Sequence, residues 1–137
     1  MDPHLLKLTV ACVDFAMAAV SWLILLCTYP DFARWRTEGF AAAHEAYARR
    51  VGWVVGPLLL AQLAGHILTW SWTGELFGVA LVAAAWALTG LWSVPCHRRL
   101  QIEGPSSPAL PSLIWSHAWR TVVWTLLAAR SVWAAAG

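Results

Sequence analysis

The sequence predicts an all-α fold, an integral membrane bundle of four transmembrane helices in up-down order. Hydrophobic residues make up 60% of the 137 residues and charged residues only 12%, about half the fraction of roughly 25% that is charged in soluble domains. Four apolar stretches each come close to the roughly 20 residues that span a bilayer as a helix. Eleven tryptophans, many near the ends of these stretches, fit the aromatic belts of membrane–water interfaces. Such helices with short links form an up-down bundle by default, so residues 1–137 are expected to be one domain.

The first predicted span, residues 5–27, is apolar and is interrupted only by Lys7 and Asp14. It is longer than the apolar core of a signal peptide and no convincing cleavage site follows it, so a retained helix is expected. Tyr29-Pro30 is expected to end this helix, because the residue before a proline disfavours helical geometry. The further predicted spans are residues 51–72, 76–94 and 113–134.

Two long polar connections and one very short turn are expected to join the spans. In the first connection, residues 39–50 are compatible with a helix and are expected to extend the second helix beyond the membrane. In the second, the Gly-Pro-Ser-Ser-Pro stretch at 104–108 cannot be helical. Arginines concentrate in both connections, so the positive-inside rule predicts that these face the cytoplasm and that both termini lie outside, in a bacterial inner membrane. These arginines are Arg34, Arg36, Arg49, Arg50, Arg98 and Arg99.

Charge and cysteine usage exclude other classes of protein. The net charge is only +2 and no run of basic residues occurs, so no nucleic-acid partner is expected. The three cysteines, Cys12, Cys27 and Cys96, lack CxxC spacing, so they predict neither a disulfide framework nor a cysteine zinc site. The expected partners are therefore the lipid bilayer and a lipophilic small molecule.

Polar residues at membrane depth carry the functional argument, because they are costly there and usually face the bundle interior or a cavity. Gln62 and His66 share one face of the second helix. With Asp14 of the first helix, they are predicted to form a buried polar layer near the outer end of the bundle. A carboxylate beside a neutral imidazole suits a proton relay or a ligand-orienting pair. A purely structural hydrogen-bonded network fits the same residues.

A second set of candidates lies at the cytoplasmic end, in the hairpin 94–120. His97 follows the end of the third span, and His117 and Arg120 share one face at the start of the fourth. These three are the predicted catalytic residues: Arg120 would bind an anionic or phenolate oxygen, and the histidines would transfer protons. Trp124, one turn after Arg120, offers a cation–π face. Snorkelling of Arg120 to the interface is the structural alternative.

His44, beside the start of the second span, supplies a third imidazole at a similar depth. His44, His97 and His117 are therefore candidate ligands for a transition metal. A pair of them could instead bind haem, with Arg120 or the loop arginines taking the propionates. No HxxxH, HExxH or ExxH motif is present. Two other interpretations therefore remain: a site without any cofactor, and interfacial histidines that only bond loop carbonyls.

Several short motifs follow one another along most of the chain. They are Tyr29-Pro30-x-Phe32, Phe40–His44, Val54–Gln62 with Pro57, Val94-Pro95-Cys96-His97-Arg98-Arg99-Leu100, and Trp119-Arg120-Thr121 with Trp124-Thr125 and Arg130. In this order they resemble the anthrone-oxygenase-like family of small four-helix membrane proteins. The resemblance implies oxidation of an aromatic or polyketide-like substrate by molecular oxygen. Two positions depart from the family pattern, which has an acidic residue where Gln62 stands and an asparagine near His117.

The leading functional hypothesis is a membrane-embedded, monooxygenase-like oxidoreductase that acts on a lipophilic aromatic or quinone-like substrate. The alternative is a non-catalytic small accessory subunit of a larger membrane complex, which packs helices and binds lipid or pigment. A channel or transporter has less support, because the chain has one deep acid and no inverted repeat. The sequence identifies neither the substrate nor the oligomeric state, and it leaves open whether the protein is an enzyme.

Overall fold

The computed structural model describes residues 2–136 as four helices joined by short connections. The helices are α1 (Pro3–Phe32), α2 (Phe40–Thr73), α3 (Phe77–Glu103) and α4 (Ala109–Ala136). No strand occurs among the described residues. The predicted all-helical fold class is confirmed.

Three of the helices, α1, α2 and α3, are long and apolar enough to cross a membrane. Helix α4 spans 28 residues but is not one of the three. It carries His117, Arg120 and Arg130 among several serines and threonines, which lower its mean hydropathy. The predicted fourth span, 113–134, therefore stays a prediction.

Two prolines that were expected to mark helix ends lie inside continuous helices. Pro30 follows a π-helical turn at Ile24–Thr28, and Pro95 follows one at Thr89–Ser93. A proline ring crowds the carbonyl group one turn back, and the wider π turn moves that carbonyl away from the ring. The expected end of α1 at Tyr29-Pro30 is therefore wrong. Residues 95–103, which were assigned to the polar connection, are likewise helical.

The connections otherwise follow the expectation. Helix α2 begins at Phe40, so the predicted extension of this helix before the span is confirmed. Residues 104–108 lie outside helices. Gly74 closes α2 with a φ of 73°, a left-handed conformation that glycine adopts without steric cost. It makes the tight turn to α3 possible.

Helix α4 is the main packing partner of α1 and α3. Helix α1 packs along α4 and also against α2, and α3 packs against α4 on one side and α2 on the other. Residues 33–39 and 104–108 lie together at one end, named here the two-loop end, where Phe32, Phe40 and Leu100 share an apolar cluster. A second apolar cluster around Met17, Val82 and Leu127 follows deeper along the helices.

Polarity is inverted relative to a soluble protein. Asp14 is fully buried and Arg120 is 7% exposed, whereas Trp53 and Trp133 are 78% and 83% exposed. Large apolar side chains face outward on every helix. Soluble monomers rarely expose contiguous apolar surfaces of this kind. The arrangement is compatible with an integral membrane protein.

Candidate functional site

A cavity of about 310 Å³ lies between the four helices, on the inner side of the two-loop end. The three predicted catalytic residues, His97, His117 and Arg120, all line it. Both π turns border it as well, through Ile24 on α1 and Thr89 on α3. Most of the remaining lining is apolar. The cavity therefore combines an apolar wall with a small number of polar groups, as small-molecule sites generally do.

Arg120 is the single cation among the described residues that line the cavity. Its Nη1 donates to Thr89 Oγ1 at 3.2 Å, and its Nη2 donates to His117 Nδ1 at 2.8 Å. Its guanidinium carbon lies 5.5 Å from the ring centre of Trp124, as the i,i+4 spacing predicted. Its Nε, which is buried, has no hydrogen-bond partner among the described residues. All of these neighbours are neutral, so the positive charge is solvated without being neutralised.

His117 is held in one protonation state by its bonds. Its Nε2 lies 3.0 Å from the backbone oxygen of Ser21, which can only accept, so Nε2 carries the proton. Its Nδ1 faces the Arg120 guanidinium, which can only donate. His117 is therefore neutral. Its ring also packs edge-on against Tyr29, with the ring centres 4.9 Å apart.

His44 and His97 form a pair behind the cavity. His44 Nε2 lies 2.9 Å from His97 Nδ1, and His97 lines the cavity whereas His44 is buried beside Phe40 and Phe32. His44 Nδ1 is buried without a partner among the described residues. An unpaired lone pair on the buried Nδ1 costs less than an unpaired N–H in the same place. We therefore assign the proton of His44 to Nε2, from which it is donated to His97 Nδ1. His97 then carries its own proton on Nε2, the ring nitrogen away from His44.

The three histidines do not fit the predicted metal site. Four of their six ring nitrogens are engaged: His44 Nε2 and His97 Nδ1 bond each other, and both nitrogens of His117 are occupied. Within residues 2–136 no group of three or more His, Cys, Asp or Glu side chains could hold a metal ion. A cation beside Arg120 would also meet its positive charge. The same bonds remove His117 as an axial ligand for haem.

Two tyrosines complete the cavity wall, and sequence reasoning gave neither of them a site role. Tyr29 is 3% exposed and lies directly before Pro30. Tyr47 lies one turn after His44 on α2. Both line the cavity. The signal that could have found Tyr47 is its i,i+3 spacing from His44, whereas Tyr29 was assigned to the end of a helix that in fact continues.

The predicted polar layer of Asp14, Gln62 and His66 is brought together at the other end of the helices. Asp14 accepts from Gln62 Nε2 at 2.7 Å and from His66 Nε2 at 2.9 Å. Ser131 of α4, which the sequence did not single out, donates to the same carboxylate at 2.5 Å. All four side chains are at most 4% exposed. None of them lines the cavity at Arg120, so the two polar sets are separate.

An ion pair closes this second end. Arg130 bonds Glu75 in the tight turn between α2 and α3, and its guanidinium lies over the ring of Phe77. Arg130 thus differs from Arg120, because its charge has a carboxylate partner.

Comparison of the chain with protein-family models, curated proteins and solved structures found no match. The resemblance to the anthrone-oxygenase-like family therefore stays a prediction.

Proposed function

We propose that the protein is a membrane-embedded oxidoreductase that binds a lipophilic aromatic or quinone-like molecule between its helices. In this proposal an anionic, phenolic or carbonyl oxygen of the substrate binds to Arg120. The His97 and His117 imidazoles lie beside it at the cytoplasmic end of the bundle. No metal or haem is assigned to the site, because both ring nitrogens of His117 are engaged and His44 is bonded to His97.

The observation that carries the proposal is the state of Arg120. It is 7% exposed, it lines the cavity, and its hydrogen-bond partners among the described residues, Thr89, His117 and the Tyr29 hydroxyl, are all neutral. An arginine at membrane depth costs on the order of 2–3 kcal/mol on insertion scales. A ligand oxygen with negative charge would offset part of that cost. A guanidinium kept without an anion beside an apolar cavity is thus suited to binding one.

The membrane environment is part of the same proposal. We infer an up-down bundle in a bacterial inner membrane with the two-loop end in the cytoplasm. Three apolar helices of sufficient length and the outward-facing tryptophans support insertion. The arginines of the two connections support the orientation. A lipophilic substrate would then reach the protein already dissolved in the bilayer.

The donors around the cavity define what the site can do to a substrate. Arg120 offers N–H groups, and His97 in the assigned tautomer offers its Nε2–H. Both favour the ionised form of a bound phenol, which gives up electrons to oxygen more readily than the neutral form. In the reaction that the resemblance implies, a ring methylene becomes a carbonyl group. One atom of O₂ enters the product, and the other leaves as water with the two methylene hydrogens.

Oxygen uptake by the protein in lipid nanodiscs tests this function. The substrates are a panel of hydroxylated anthrones, naphthols and quinols. We expect saturable uptake with at least one of them and a decrease of about 100-fold in Arg120→Gln, the typical effect of removing one oxyanion donor. Arg130→Gln is the matched control, because Arg130 pairs with Glu75 far from the cavity. It should change uptake by less than about 2-fold, within the usual range for a distant site.

Two results would contradict the proposal. If wild-type protein binds these phenols but consumes no oxygen with any of them, the oxidoreductase class is wrong. If Arg120→Gln binds and turns over as the wild type does, the site is wrong. Copurification with a large assembly in mild detergent, together with no binding of the panel, would favour the accessory-subunit alternative.

A further inference from the structure

The cavity opens sideways, between α2 and α3. Most residues that line it are buried or half-buried, including every one that α1 and α4 contribute. The exceptions are Ala48 and Gly52 of α2 and Val94 of α3, which line the cavity and are exposed on the outer surface of the bundle. These three residues form a mouth, and all three are small or apolar.

The helices on either side of this mouth are tied together above and below it. The tight turn at Gly74 joins α2 to α3 at one end. The His44–His97 pair joins the same two helices near the other end, at 2.9 Å. The gap at Ala48, Gly52 and Val94 therefore lies between two points at which α2 and α3 are joined, and it is not a frayed helix end.

The surroundings of the mouth are those of a membrane surface. Trp53, next to Gly52, is 78% exposed, and Leu91, one turn before Val94, is 82% exposed. Arg49 and Arg50 lie between Ala48 and Gly52 on α2 and are exposed. Apolar side chains beside cationic ones mark the boundary between lipid chains and headgroups. A molecule in the mouth would thus touch lipid chains.

We propose that the ligand is a phenol or quinone with an alkyl tail, whose ring binds at Arg120 and whose tail leaves through the mouth into the lipid. The volume supports this class: about 310 Å³ is at the lower limit of small-molecule sites, roughly 300–1,000 Å³. A ring fits within it, whereas a long chain needs the opening. The inference rests on the proposed function, since it assumes that the Arg120 cavity binds a phenolic or quinone oxygen.

Gly52 provides a direct way to close the mouth. A Cβ atom added at Gly52, which lines the cavity, would meet no neighbouring group within 4 Å. Gly52→Phe therefore places a ring in the mouth. The control is Ala61→Phe: Ala61 is exposed on the same helix and does not line the cavity. It is nine residues after Gly52, which places it on the opposite face of an α-helix. Neither residue has a positive φ, so neither change requires the backbone to move.

Competition photolabelling tests the tail. A short photoreactive probe, a diazirine derivative of 4-ethylphenol, is bound to the full chain in nanodiscs, and labelling is measured by mass spectrometry. The competitors are 4-ethylphenol and 4-dodecylphenol, expressed as mole fractions in the lipid. In the wild type and in Ala61→Phe we expect both to compete. In Gly52→Phe we expect competition by 4-dodecylphenol to weaken at least about 10-fold, a loss equivalent to about 1.4 kcal/mol, while 4-ethylphenol competes within about 3-fold of its wild-type strength.

The outcomes separate this inference from the function that it rests on. If Gly52→Phe weakens both competitors equally, or neither, the tail does not pass through this mouth and the inference is overturned. The proposed function would stand in that case, because the probe still binds at Arg120. If the probe does not label cavity residues in the wild type, or Arg120→Gln labels equally well, the proposed function fails first.

Discussion

His44 Nε2 lies 2.9 Å from His97 Nδ1, so two imidazoles from different helices share one proton. This bond orients the His97 ring. It also leaves Nε2 as the ring nitrogen of His97 that carries the proton. His44 is thus a positioning residue for His97 and does not itself line the cavity.

Replacing His44 should change the state of His97. In His44→Phe the ring still fills the space against Phe40 and Phe32, but the bond to His97 is lost. We expect the ¹⁵N NMR signals of wild-type His97 to report a protonated Nε2, and those of the variant to report a mixture of both tautomers. Affinity for phenols should fall about 10-fold, the equivalent of one hydrogen bond. An unchanged His97 spectrum would contradict the assigned pairing.

Asp14→Asn should strongly destabilise the protein. The carboxylate accepts from Gln62, His66 and Ser131, and an amide would turn its own N–H groups toward these donors. Breaking a buried pair of this kind costs about 3–5 kcal/mol. Equilibrium unfolding in mixed micelles measures the loss. Ser131→Ala is the comparison and should cost only about 1–3 kcal/mol, because it removes one donor and leaves the others in place.

Gly78→Ala should destabilise the packing of α3 against this polar layer. A Cβ atom at Gly78 would collide with the His66 imidazole and lie 3.4 Å from Arg130 Nη1. His66 is 3% exposed and bonded to Asp14, so it has little freedom to move. We expect a loss of about 1–3 kcal/mol in the same unfolding measurement. Gly56→Ala has open space at its Cβ position and serves as the control, with no loss expected.

The proposed orientation can be checked by cysteine labelling. In a background with Cys12, Cys27 and Cys96 changed to alanine, single cysteines replace His4 and Ser106, which are both exposed. A membrane-impermeant maleimide should label His4→Cys in spheroplasts and Ser106→Cys only in inverted vesicles. The reverse pattern would place the two-loop end outside the cytoplasm and contradict the positive-inside prediction.

Some of this architecture could be predicted because it depends on spacing along single helices. Gln62 and His66 share a face by their i,i+4 spacing, and matching depth was enough to place Asp14 beside them. Ser131 of α4 donates to the same carboxylate. A serine in a membrane helix does not by itself indicate a buried hydrogen bond, so the sequence did not predict this contact. The roles of these residues stay predictions.

Other features depend on details that a sequence pattern does not contain. The rotation of each helix about its axis decides whether two imidazoles bond each other or converge on one point. The sequence could therefore group His44 with His97 and His117, but it could not predict the partner of each ring nitrogen. A proline is usually a reliable sign of a helix end. At Pro30 and Pro95 a π turn removes the steric conflict, and the helix continues.

The π turn at Thr89–Ser93 determines what a one-residue deletion in α3 would do. A π turn encloses one more residue than an α turn, so it can be regarded as a one-residue insertion in a regular helix. Loss of Gly90 would restore ordinary α geometry and bring the ring of Pro95 back against the carbonyl group one turn earlier. Every later residue, His97 included, would then rotate by about 100° around the helix axis, because an α-helix has 3.6 residues per turn. A one-residue deletion would thus turn His97 away from the cavity and Leu100 away from the apolar cluster, so both the site and the packing of α3 depend on the extra residue.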